Sequence, residues 1–185
     1  MKYRTINEAK NIQLQNIPQI IQDEYSELIK RLLTENASSS SKLKKIFSLT
    51  DKIAALVTPY AVCEKGCSYC CNNQVVVTPI EAEYIEKNCG IVKDSGSNNS
   101  LGTVWVQRPC SLLDSNGACS VYAHRPFPCR VYLAFDDPKY CADGKTKHVT
   151  YSVNSSNLLK SLYDLVLRLN KSKPSRDIRD FFKYY

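Results

Sequence analysis

Four of the nine cysteines fall within Cys63-Glu64-Lys65-Gly66-Cys67-Ser68-Tyr69-Cys70-Cys71, two of them adjacent. Thiolates are the soft ligands of zinc and of iron–sulfur centres. With Cys89 set aside as a structural thiol outside any motif, Cys110, Cys119, Cys129 and Cys141 bring the set to eight. Four thiolates saturate a tetrahedral Zn²⁺ or a cubane iron–sulfur cluster, so eight is the natural number for two such centres. One saturated site with spare thiols also satisfies the count. On an extended backbone Cys70 and Cys71 point in divergent directions, which favours bridging two sites over clasping one ion. The downstream gaps of eight, nine and eleven residues match no zinc-finger spacing. Regulatory disulfides are the competing use, and an odd count fits them poorly.

Arg108, Arg125 and Arg130 flank the ligand segments. Guanidinium groups there can hydrogen-bond sulfur and offset its charge, or recognise an anionic substrate, and Arg125 and Arg130 are the candidates for touching a bound cofactor. His124 and His148 are alternative metal ligands. No Ser/His/Asp set, phosphate-binding glycine loop or carboxylate pair stands out, which disfavours a hydrolase or nucleotide enzyme.

The net charge of +7 is uneven. Residues 1–62 carry nine Lys/Arg against six Asp/Glu, 63–148 nine against nine, and 149–185 seven against three. Eight thiolates on two dications would take the middle segment from 0 to −4 and the chain from +7 to +3. Part of the apparent basicity is then a counterweight to the metal site. A nucleic-acid partner would require a basic stripe with stacking aromatics, which is missing. There is no secretion signal and no apolar run of membrane-span length, so a soluble protein in the reducing cytoplasm is expected, with a protein partner left open.

Positioning falls to helices. Leu14, Ile17, Ile21, Tyr25, Leu28 and Leu32 recur at helical spacing and predict a helix over 7–35. After a serine-rich connector, Leu43, Ile46, Leu49, Ile53 and Leu56 predict a second over 41–57. Gln74–Val77 is a short strand, and Thr78-Pro79-Ile80-Glu81 starts a helix that runs to about Asn88-Cys89, with Gly90 just past its end. Residues 93–102 read as a loop and 103–106 as a strand. Asn116-Gly117 marks a hairpin; an ideal two-residue turn puts Cys119 opposite Asp114 and leaves Cys110 about 13 Å further along. Either the loop is wider or the two thiols serve different centres. Val131–Phe135 is a strand, and 155–170 is a helix with Leu158, Leu162, Leu165 or Val166, and Leu169 inward. A final turn buries some of Phe181, Phe182, Tyr184 and Tyr185. The expected fold is mainly α, with a small irregular, metal-stabilised cysteine-rich core containing short β hairpins. Its parts are an N-terminal helical hairpin (1–58), the cysteine-cluster core (59–148) and a C-terminal helical segment packed on it (149–185).

Two patterns resemble known proteins. Residues 63–70 fit the CxxxCxxC of radical SAM enzymes, but the 114 residues after Cys71 lack the alternating strands and helices of that barrel. CxxxCxxCC over Cys63–Cys71, then Val-Thr-Pro-Ile-Glu-Ala-Glu, then Pro109 to Tyr132 with Cys110, Cys119, Arg125-Pro126 and Cys129-Arg130, resemble the YkgJ-type cysteine-cluster family over about 63–141. These are small bacterial proteins described as zinc- or iron-chelating, and their module is shared with flagellin lysine-N-methylase. The resemblance implies metal ligation by Cys63, Cys67, Cys70, Cys71, Cys110, Cys119 and Cys129, with Cys141 placed less firmly. It implies zinc or iron as cofactor, a 4Fe-4S cluster included, and as the alternative an iron–sulfur-dependent enzyme, redox or lysine-methylating.

Overall fold

Pro18 divides the first helical stretch. The computed structural model describes residues 3–64, 66–94 and 108–183. Helix α1 spans Ile6–Lys10 and is closed by a capping box between Thr5 and Glu8. Helix α2, Gln19–Thr34, starts only after Pro18. The single helix expected over 7–35 is therefore two, because proline has no N–H to donate and forces Ile17 out of the helical region. Leu14 and Ile17 still pack on the core, from the irregular segment between the helices.

Helix α3, Ser39–Val57, is capped by Ser38, which accepts from Ser41 N, and it buries Leu43, Ile46, Leu49 and Ile53. Helix α4, Pro79–Cys89, has the boundaries its sequence predicts: a Thr78/Glu81 capping box, Pro79 in the first turn and Gly90 at φ 69°. Helices α5, Phe127–Val131, and α6, Lys139–Asp143, are single turns; α7 is Asn157–Leu169, capped by Ser156, and α8 is Ile178–Phe181. Helix α3 packs against α2, α4, α5 and α7, so one apolar cluster draws on residues from Ala9 to Val166. A second cluster joins Val77, Ala82, Ile85, Leu112 and Val121 to Ile178, Phe181 and Phe182. Helix α4 is the wall between them, with Ile80 and Tyr84 on one face and Ala82 and Ile85 on the other.

The strands are two-residue pairs. Strand β1, Val76–Val77, runs antiparallel to β4, Arg176–Asp177, with Val76 opposite Asp177. Strand β2, Leu133–Ala134, pairs with β3, Thr150–Tyr151. The expected strand over 131–135 is shortened because α5 takes Val131. Neither ladder is a hairpin; each joins segments far apart in sequence. Among the described residues the one hairpin-like contact is an isolated bridge between Leu113 and Cys119. There Asp114 N donates to Ala118 O at 2.8 Å and Gly117 sits at φ 75°, so the turn is one residue wider than the two-residue form and Leu113, not Asp114, faces Cys119.

In α7 the buried residues are Leu159, Leu162 and Val166, with Leu158, Leu165 and Leu169 half-buried beside them. The inward face is turned from the expected one, since a wide apolar face does not reveal its own centre. Phe181 and Phe182 are buried as expected. Tyr184, Tyr185, the strand expected over 103–106 and most of the 93–102 loop lie outside the described residues.

Candidate metal centre

Cys70 and Cys71 lie in a tight 3-10 turn, Tyr69–Asn72, closed by Cys71 N donating to Ser68 O at 2.9 Å and Asn73 N to Cys70 O at 3.1 Å. The backbone is not extended here, so the expected divergence is reduced to about 120° per residue. The two thiols hydrogen-bond each other, and that bond and then burial push Cys71 up. Helix α6 packs on this turn and carries Cys141, which is buried. Cys63 is placed by β2: Val62 N donates to Ala134 O at 2.8 Å, and Ala134 N donates back to Cys63 Sγ at 3.3 Å.

Electrostatics sorts the thiols into two groups that meet at Cys71, which feels the charges of Cys70 and Cys67. Cys63 and Cys67 share a hydrogen bond that raises Cys63 and lowers Cys67 to about 6. Cys63 also feels the charge of Cys141. Cys141 is pushed up to about 12, by burial first and then by Cys67 and Asp136. Tyr132 is raised to about 12 by burial and then by Cys141, Cys70 and Cys63, which places Cys70 beside this group. In the second group, burial raises Cys129, and the charges of Cys110, Cys71 and Cys119 add to it. Cys110 is raised to about 11, by burial ahead of Cys71 and Cys119. Cys119 is raised by burial and then by Cys71.

Backbone amides point at the sulfurs. Tyr69 N–H stabilises the Cys67 thiolate, Leu112 N–H that of Cys110 and Val121 N–H that of Cys119, each two residues on. Such donors fix sulfur lone pairs and share thiolate charge, so the donor set suits a soft cation. All nine cysteines are free. Cys63 and Cys67, and Cys70 and Cys71, are drawn into S–H···S pairs, and among the described residues no three His, Cys, Asp or Glu side chains close tightly enough to hold an ion as they stand. A cation would have to replace those pairs. A cavity of about 320 Å³ lies against Cys67, Cys70, Cys71, Cys110, Cys119 and Cys129, with otherwise mostly apolar walls.

Arg125 lies over the Tyr122 ring, 3.7 Å from its centre, donates to Tyr122 O at 3.0 Å and lowers Cys119 and Cys129. Arg130 is turned elsewhere. Its donors go to Asp51 at 2.6 and 2.9 Å, to Arg125 O at 2.6 Å and to Ala123 O at 3.1 Å, and its guanidinium rests on Phe47 at 4.2 Å. It ties α5 to α3. Arg108 contributes its carbonyl, as an acceptor for Arg179. His148 is held by Asp136, Nδ1 to Oδ1 at 2.9 Å, with Nε2 3.4 Å from Tyr132 Oη. His124 stands 5.7 Å from the Tyr84 ring. Cys89 ends α4 against the second apolar cluster, and burial raises it.

Two neighbours of the thiols escaped sequence reasoning. Tyr132 is one. The other is Arg179, whose charge lowers Cys71 and Cys110. Its only signal is an acid–base pair, Asp177 and Arg179, set among Ile178, Phe181 and Phe182.

Among the described residues no helix is long and apolar enough to cross a membrane. No curated protein and no solved structure matches the chain. Residues 62–152 do match the model of the CxxCxxCC family, described as a candidate zinc- or iron-chelating domain.

Proposed function

We propose that the chain binds two metal ions, zinc or iron, in two four-thiolate centres. Cys63, Cys67, Cys70 and Cys141 form the first; Cys71, Cys110, Cys119 and Cys129 form the second. The observation that carries this reading is that Cys110, Cys119 and Cys129 each feel the charge of Cys71, while Cys63, Cys67 and Cys141 feel one another; Cys71, which also feels Cys67 and Cys70, is where the two groups meet. The adjacent pair Cys70-Cys71 is the seam, one thiol serving each side. A bound cation supplies cross-links between segments that share few ladders. The chain's own part is to aim amide N–H groups at sulfur and to place Arg125 and Arg179 against the excess negative charge. For structural zinc the binding free energy is of order 10–16 kcal/mol and is folding free energy.

Metal analysis of serine variants tests the partition. About two ions per wild-type chain are expected, with Cys119→Ser and Cys141→Ser each keeping about one and the double variant none. Singles that both fall to zero, or both keep two, overturn it.

The 320 Å³ cavity favours a second reading, an iron–sulfur-dependent enzyme, redox or methyl-transferring, because that volume is on the scale of a small-ligand pocket. Anaerobic purification separates the two: a brown protein with a visible cluster spectrum supports the enzyme, and a colourless zinc protein refutes it.

A further inference from the structure

Arg179 lies outside the matched segment 62–152, yet its side chain is 2% exposed and reaches both ligand loops. Nη2 donates to Cys71 O at 3.0 Å, Asn73 O at 3.0 Å and Arg108 O at 2.6 Å. Nε donates to Pro109 O at 3.0 Å, and Nη1 to both oxygens of Asp177 at 3.0 and 3.1 Å. The three N–H groups on Nε and Nη2 all go to carbonyls and Nη1 faces Asp177, with no sulfur among these partners. Asp177 is held in turn: its Oδ2 accepts from Val75 N at 3.2 Å and its Oδ1 from Arg179 N at 2.9 Å. The β1–β4 pair and Ile178 N to Val75 O at 2.9 Å complete the seam.

Four carbonyls from two separate segments thus converge on one planar fork. One segment ends the CxxxCxxCC turn at Cys71 and Asn73; the other is Arg108-Pro109, immediately before Cys110. Fixing these carbonyls fixes the direction in which Cys71 and Cys110 leave the backbone. We infer that Arg179 is a positioning residue of the second centre, a clamp that sets the spacing of Cys71 and Cys110 and acts on the metal only through them. This rests on the two-centre reading. A lysine keeps the charge but offers three donors from one point, so it can pair with Asp177 without holding the four carbonyls.

The test compares wild type with Arg179→Lys, and with Ile178→Ala as a control that loosens the same tail without touching the carbonyls. Each change is made in a Cys141→Ser background, keeping only the second centre, and in a Cys119→Ser background, keeping only the first. Zinc affinity is read by chelator competition. Arg179→Lys is expected to weaken the second centre by about 10–100-fold and to leave the first within about twofold, as a partner orienting a ligand would. Ile178→Ala, which thins the apolar cluster on which Cys110 and Cys119 pack, is expected to weaken the second centre less than Arg179→Lys does. Equal weakening of both centres by Arg179→Lys, or no change, overturns the clamp.

Should wild type take up no zinc and no iron, the two-centre reading fails, and alkylation of the metal-free chain decides the positioning role separately. Cys71 and Cys110 should then react about tenfold faster in Arg179→Lys with Cys63 and Cys141 unchanged, because reactivity follows local opening. Uniform rates overturn it.

Discussion

Replacing Glu81 with glutamine keeps the size of a fully buried side chain and removes one of its two acceptor oxygens. Glu81 Oε2 accepts from Thr78 N at 2.8 Å and bonds Thr78 Oγ1 at 2.7 Å, while Oε1 accepts from Phe127 N at 2.8 Å. The residue therefore caps α4 and pins the start of α5, the turn that carries Cys129. Glutamine can give its oxygen to Thr78 or to Phe127, and its amide then meets the other N–H donor to donor. One buried N–H is orphaned, at about 1–3 kcal/mol.

The pH dependence sharpens the test. Burial raises Glu81 above its ordinary 4.5, and the bonds from Thr78 and Phe127 offset this only in part. A carboxyl raised in the folded state binds more protons folded than unfolded. Its contribution to stability is therefore fully present below 4.5 and lost as pH rises through the folded value. Glutamine does not titrate, so the advantage of wild type over Glu81→Gln should widen as pH is lowered from about 8 toward about 5. Urea unfolding of both proteins, followed by near-UV dichroism at matched metal loading, measures the difference; thiol protonation is common to both and cancels. A difference that narrows toward low pH, or is zero throughout, refutes the reasoning.

Leu162→Ala removes a fully buried side chain from the centre of the α7 face and should cost about 2–5 kcal/mol, read as a lowered melting temperature. Gly90→Ala should cost only about 1 kcal/mol by the same measurement. Gly90 sits at φ 69° and a Cβ there meets nothing within 4 Å, so the backbone conformation carries the whole penalty.

Legibility in the sequence followed the range of the interaction. Helix α4 could be bounded almost to the residue because Thr78, Pro79, Glu81 and Gly90 act on their own backbone within a few positions. The break at Pro18 was equally local, yet the apolar stripe from Leu14 to Leu32 masked it, because Leu14 and Ile17 reach the core without being helical. The turn at Asn116-Gly117 was marked, but its width depends on Asp114, whose Oδ1 accepts from both Asn116 N and Ala118 N. At the candidate site, residue type alone singled out the cysteines. The fate of Arg130 could not be read, since Asp51 lies 79 positions away. The β1–β4 pair and the reach of Arg179 were likewise invisible, being set by packing that no spacing encodes.

The separation of Cys71 and Arg179, 108 positions, bears on how the molecule is made. Helices α2 and α3 can form early from near-neighbour contacts, whereas the loop joining the CxxxCxxCC turn to its clamp closes only after more than half the chain has been ordered. Long-range closures of this kind slow folding. During that delay the thiols remain open to oxidation, which would pair or cap them in the wrong partnerships. Yield should therefore depend on the race between oxidant and metal during refolding: adding zinc or iron before the denaturant is diluted should recover more native protein than adding it afterwards.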